Sequence, residues 1–115
     1  MAVVAELIEL KQTPEMRCPM YRLVELLSGT WTTYILWQLH VNGAMRFGQL
    51  RKAMPTISAK VLTDRLRMLE EAAIVLREQE STIPPKVTYS FTERGKQLNA
   101  MLDEINKLAR KWEAV

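Results

Sequence analysis

Apolar residues recur along most of the chain at the three-and-four spacing of amphipathic helices, and the period changes to two in one stretch near the C-terminus. Val4, Leu7 and Ile8 share one face of a helix over residues 3 to 10. Pro19 suits the first position of a second helix, where its missing N–H is not needed, and Leu23, Leu26 and Leu27 give that helix its inward face. Ser28-Gly29 ends it. A third helix starts near Trp31 with Trp31, Ile35, Leu36 and Leu39 in helical spacing, and Asn42-Gly43 stops it. MRF at 45 to 47 reads as a short strand, and from Phe47 a fourth helix carries Phe47, Leu50 and Met54 until Pro55 halts it. Ser58 is a good N-cap for the next helix, whose inward face is Leu62, Leu66, Leu69 and Ala73. VLREQE (75 to 80) and KVTYSF (86 to 91) then read as strands, the second alternating cleanly with Val87, Tyr89 and Phe91 on one face. STIPP between them makes a loop stiffened by Pro84 and Pro85. Thr92 caps a last helix in which Leu98, Met101, Ile105, Leu108 and Trp112 alternate spacings of three and four, with Leu102 beside them.

The order is helices, a short strand, a helix, a tight turn, a helix and a hairpin. Two helices joined by a short turn are a helix-turn-helix unit, and a hairpin just behind it is a wing. The expected fold is mainly α with a small β-hairpin: one winged helix-turn-helix domain over residues 1–115. Its core spans 18–95, and dimerisation helices lie at about 2–11 and 93–113. A chain of 115 residues suits such a domain.

Composition adds little except in how charge is placed. The chain is 48% hydrophobic and 25% charged, as in an ordinary globular domain. No apolar run approaches the roughly 18 residues of a membrane span, and the N-terminal helix lacks the basic start of a signal peptide. A cytoplasmic protein without membrane association is expected. Net charge is only +3. Between Arg46 and Arg67, however, six bases (Arg46, Arg51, Lys52, Lys60, Arg65, Arg67) face one acid, Asp64, giving 6 − 1 = +5. The helix after Ser58 is hydroxyl-rich and basic at its start (Ser58, Lys60, Thr63, Asp64, Arg65, Arg67) and acidic at its end (Glu70, Glu71). A recognition helix entering the major groove by its N-terminal half accounts for that asymmetry, because the positive end of its dipole faces phosphates and the acids point away. Ser58, Lys60, Thr63 and Arg67 are the leading contacts to bases or phosphates. Asp64 and Arg65 are secondary, with pairing to neighbours as the alternative. Arg46, Arg51 and Lys52 are phosphate contacts that position without reading sequence, and Lys86 at the wing is a groove or phosphate contact. The partner is double-stranded DNA.

Other chemistry is sparse. One cysteine, Cys18, and one histidine, His40, leave no internal disulfide and no clustered zinc set. No paired catalytic constellation or phosphate loop is present, so no enzyme, cofactor or metal is expected. Cys18 admits two readings. As N-cap of the helix begun by Pro19, beside Arg17, it occupies the setting of a reactive thiol and a redox sensor; as a small residue among Met16, Met20 and leucines it is merely buried. His40, near a helix end, is expected at the surface or as a cap. The three tryptophans are expected as core and interface anchors. The seam of Leu98, Met101, Leu102, Ile105, Leu108 and Trp112, with Leu7 of the first helix, is the expected homodimer interface. Nothing in the sequence specifies a small-molecule effector.

The motifs CPMYRLVELLSGTW (18 to 31), RFGQLRKAMPTISAKVLTDRLRMLEE (46 to 71) and PPKVTYSFTERG (84 to 95) resemble the HxlR-type regulators of the MarR-like winged-helix group. The resemblance implies a dimeric cytoplasmic transcription regulator reading a pseudo-palindromic operator. Its recognition helix begins at Ser58, the loop around Pro84 to Lys86 reaches the flanking groove, and the terminal helices pair. Some members sense oxidants or electrophiles through a cysteine at the place of Cys18. Two positions depart from the pattern: Thr30 stands where lysine is frequent, and Ala73 where glycine is frequent. The competing reading is a winged helix used for protein–protein contacts without DNA binding.

Overall fold

The computed structural model describes residues 18–113. Among them the elements run α1 (Pro19–Leu27), α2 (Thr32–Asn42), β1 (Met45–Arg46), α3 (Phe47–Ala53), α4 (Ala59–Glu71), β2 (Val75–Glu80), β3 (Lys86–Phe91) and α5 (Glu93–Glu113). The helix expected over residues 3 to 10, with Leu7, lies outside the described residues.

Local chemistry places the boundaries. Pro19 opens α1 behind Cys18, and Ser28 closes it by donating its hydroxyl to the Glu25 carbonyl at 2.8 Å. Gly43, at φ +75°, ends α2 with its N–H on the Leu39 carbonyl, a backbone conformation that suits glycine. Pro55 stops α3. The turn that follows is held from inside by Met54 and Ile57, both buried, while Pro55 and Thr56 face outward.

The sheet is antiparallel with strand order β1-β3-β2. The expected hairpin therefore gains a third, two-residue strand: Met45 pairs with Tyr89 and Arg46 with Thr88. Phe47 leaves the strand to begin α3. In the hairpin Val75 faces Phe91 and the pairing continues to Glu80 opposite Lys86, which leaves residues 81–85 as the tip.

The core gathers one face of each major element. Ile35, Leu36 and Leu39 come from α2, Leu50 from α3, Leu62, Leu66 and Leu69 from α4, Val75 and Tyr89 from the sheet, and Leu98 and Leu102 from α5. Each fully buried leucine of this set contributes about 1.5–3 kcal/mol relative to exposure. Thr32, at the start of α2, is buried with them.

The structure differs from expectation at two places. Ala73 was expected on the inward face of α4, but it is exposed and Ala72 is buried instead. The cause is how α4 ends. The Ile74 N–H bonds the Leu69 carbonyl and the Ala73 N–H bonds the Glu70 carbonyl, each at 3.0 Å. That is the Schellman pattern, and it requires Ala73 in the left-handed region, at φ +60°. The departure from glycine thus leaves the turn intact, at a cost of about 1–2 kcal/mol for the Cβ. The second correction concerns the seam of α5. Leu98 (6% exposed) and Leu102 (3%) belong to the domain's own core, so they are not free to face a second chain. Met101, Ile105, Leu108 and Trp112 are exposed, Trp112 to 70%. A 21-residue helix runs about 31 Å, and only its first half lies over the rest of the domain.

Candidate nucleic-acid interface

α4 has two unlike faces. Leu62, Leu66 and Leu69 point inward. Lys60, Thr63, Asp64 and Arg67, at spacings of three, four and seven, fall on one outward stripe, and all are exposed. At the head of the helix Ser58 caps it, its Oγ accepting the Val61 N–H at 3.1 Å, which leaves the hydroxyl proton for an outside acceptor. Thr63 donates its hydroxyl to the Ala59 carbonyl at 2.8 Å, so it offers lone pairs and a methyl group outward. Lys60 and Arg67 supply cationic donors and Asp64 an acceptor. Glu71 continues the stripe at the far end, so the sign of charge changes along the helix, as its sequence required.

Arg65 stands apart. Its guanidinium lies against the α1–α2 turn, where a Cβ on Gly29 would sit 3.4 Å from Arg65 Cζ. Gly29 has φ +126°, so the backbone calls for glycine there. Arg65 Nε is buried with no hydrogen-bond partner among the described residues. The structure does not bring Arg65 onto the Lys60–Arg67 stripe, and Asp64 and Arg65 share no ion pair.

Arg46 lies in β1 at the start of α3, with its backbone N–H donated to Gln49 Oε1 at 2.9 Å and its side chain exposed. Arg51 and Lys52 are exposed in the last turn of α3, where cations oppose the negative end of the helix dipole. The wing is different in charge: Arg77 and Lys86 balance Glu78 and Glu80 over residues 75–91, a net of 2 − 2 = 0. Lys86 is exposed at the base of the tip, which Thr82 braces by donating to the Pro84 carbonyl at 2.9 Å. Ile83, which sequence reasoning passed over, is fully exposed at that tip. An isolated isoleucine in a loop carries no periodic signal that would have singled it out.

Cys18 is exposed at the N-cap of α1, so the buried reading does not hold. His40 has company: Nε2 is 3.5 Å from Asp103 Oδ1 of α5, and its ring packs against Trp37 at a tilt of 46° with centroids 4.9 Å apart. Trp31 packs edge-on against Tyr34. On α5, Lys107 hydrogen-bonds Glu104 and Asp103, contacts that raise its pKa above the ordinary lysine value, Glu104 contributing first. Among the described residues no group of side chains could hold a metal ion, and no helix is long and apolar enough to cross a membrane.

Known proteins share this arrangement. The HTH-type transcriptional regulator YvaP of Bacillus subtilis is 38% identical over 96 residues, 83% of this chain and 88% of the relative. The structure of the redox regulator HypR in its reduced form superimposes with a TM-score of 0.77 at 31% identity, covering 82% of this chain and 92% of that one. Diamide-treated YodB from B. subtilis gives a TM-score of 0.67 at 34% identity, over 82% and 93% of the two chains. Residues 26–115 match the HxlR-like helix-turn-helix family, and the exposed stripe of α4 falls inside that match. By sequence and by fold, this chain is a winged helix-turn-helix protein that belongs to the HxlR-like family.

Proposed function

We propose that the chain is a sequence-specific, DNA-binding transcriptional regulator that works as a cytoplasmic homodimer on a pseudo-palindromic operator. The observation that carries this reading is the exposed Ser58–Lys60–Thr63–Arg67 face on the second helix of the helix-turn-helix, backed by the buried Leu62–Leu66–Leu69 face. A cationic, hydroxylated helix start is complementary to phosphates and to the acceptors of guanine and adenine in the major groove. Lys60, Thr63 and Arg67 would read base edges, with Asp64 accepting from cytosine. Arg46, Arg51 and Lys52 would set the register through phosphates. Lys86 would reach the flanking groove from the wing. Met101, Ile105, Leu108 and Trp112 would be covered by the second protomer. Where the operator overlaps the promoter, occupancy would repress by blocking polymerase; an operator placed elsewhere would allow activation.

HypR is described as a redox regulator, and the exposed Cys18 supports a redox-responsive form of the same function. With one cysteine per chain, oxidation would end in a sulfenic acid, in a mixed disulfide with a small thiol, or, with two thiols giving two electrons and two protons to an azo oxidant such as diamide, in a disulfide between protomers. A protein-interaction module without DNA affinity is the competing reading, and the +5 cluster between Arg46 and Arg67 speaks against it.

In-vitro selection from random duplex DNA tests the proposal, with reduced protein and with protein treated with diamide. The expected result is an inverted repeat from the reduced protein, lost on oxidation and retained in Cys18→Ser. Absence of any enriched sequence from the reduced protein would put the interaction module first. Unchanged enrichment after oxidation would remove Cys18 from the mechanism.

A further inference from the structure

Backbone carbonyls that leave a helix need partners, and three consecutive ones just past the end of α4 are taken up by the start of α5. Arg94 Nη1 donates to the Ala72 carbonyl at 3.2 Å, Thr92 Oγ1 to the Ala73 carbonyl at 2.5 Å, and the Thr92 N–H to the Ile74 carbonyl at 3.1 Å. The same Thr92 hydroxyl accepts the Gly95 N–H at 3.0 Å, so it caps α5 while holding α4. Gly95 completes the junction by contact: a Cβ there would collide with the Ile74 carbonyl oxygen and sit 2.7 Å from Phe91 Cδ1. The helix that presents the DNA-facing stripe and the helix that carries the exposed apolar stripe are thus joined at one point, around a left-handed Ala73.

We infer that Arg94 is a positioning residue that fixes the angle between α4 and α5, and through it the half-site spacing that the protein accepts. The inference rests on the proposed dimeric operator reading. The lever is long: Gly95 to Trp112 spans ~26 Å at the helical rise of 1.5 Å per residue. A tilt of about 8° at the junction moves the far end by ~3.5 Å, close to the rise of one base pair. Small changes of angle at Arg94 are therefore as large, at the dimer contact, as the inserted base pairs that a two-fold protein must reject. Arg94 is better suited to this than the neighbouring core, since Leu98 and Leu102 resist separation of α5 from the domain but, being apolar, give no directional bond to the end of α4.

The test compares the full-length wild type with Arg94→Met, which keeps the aliphatic stem, and Arg94→Lys, which keeps a cationic donor. Each is titrated against the selected inverted repeat, the same repeat with one base pair inserted or removed at its centre, and a single half-site, with dimerisation followed by sedimentation. Wild type should prefer its own spacing. Arg94→Met should lose about tenfold of that preference, the order expected for one hydrogen bond from a charged group. Its half-site affinity and dimerisation should stay unchanged, and Arg94→Lys should restore part of the preference. An Arg94→Met spacing profile identical to wild type would overturn the inference. So would an equal loss on the half-site, which would mean that Arg94 acts on DNA or on the fold. Should Arg94→Met fail to fold, Arg94→Lys decides alone: a spacing profile intermediate between strict and relaxed supports the inference, and an unaltered one overturns it. If wild type itself shows no inverted-repeat binding, the dimeric operator reading fails first and takes the inference with it.

Discussion

α4 and α5 are both amphipathic helices of one small domain, and they leave opposite kinds of surface uncovered. α4 buries Leu62, Leu66 and Leu69, half-buries Val61 and Met68, and exposes a stripe that is cationic at the start and acidic at the end. Of its large apolar residues α5 buries Leu98 and Leu102 and leaves Met101, Ile105, Leu108 and Trp112 in the open, flanked by charges of both signs over residues 93–113, 5 − 4 = +1. The cationic start of α4 gains most from a polyanion. An apolar stripe gains most from another apolar surface, and a mixed-charge rim suits a protein partner. On the proposed reading the same helical pattern would serve two partners, separated by which half of the pattern the domain's own core already uses.

The strongest way to break this picture is at the point where the two helices meet. Gly95→Ala should destabilise the fold by about 2–3 kcal/mol, because the nearest obstruction is the Ile74 backbone carbonyl, which cannot swing aside. Denaturant unfolding with an unchanged slope checks it. Next in size is the exposed end of α5. Ile105→Glu should cost the dimer about 2 kcal/mol, roughly thirtyfold in dimer affinity, by placing an unpaired charge in a desolvated contact. Folding should be barely affected, since Ile105 is 52% exposed in the single chain. Sedimentation that still shows a dimer at the same concentration would place the contact elsewhere. On the other side of the comparison, Arg67→Ala should weaken operator binding by about 1–3 kcal/mol and relax the preference at one base position. Its dimerisation should match wild type, which would sharpen the separation of roles. The smallest change expected is a gain. Ala73→Gly should stabilise the domain by about 1 kcal/mol by relieving the left-handed alanine, readable as a higher thermal midpoint.

The sequence announced the elements of this fold because each one is locally consistent. Ser58 caps α4, Pro55 stops α3, and the alternation of Val87, Tyr89 and Phe91 marks β3. Helical spacing cannot say how far a helix runs beyond its neighbours. Leu98 and Leu108 fit the same a/d-like seam, yet only Leu98 meets the core. Nor could charge counting separate Arg65 from Arg67: which of the two turns toward Gly29 depends on a tertiary contact between α4 and the α1–α2 turn. The bonds from Thr92 and Arg94 to Ala72, Ala73 and Ile74 span about twenty residues, beyond the reach of local pattern, so Thr92 was legible only as a cap. The frequent glycine at the place of Ala73 was the one hint that the α4 exit needs a left-handed residue.

The central claim, that α4 meets DNA while α5 meets a second chain, is tested most directly by sedimentation velocity of the reduced protein with a fluorescent duplex carrying the selected repeat. The account predicts a single complex of two chains per duplex, formed from protein that is already dimeric without DNA. One chain per duplex, or a dimer that leaves the duplex sedimenting alone, would contradict it.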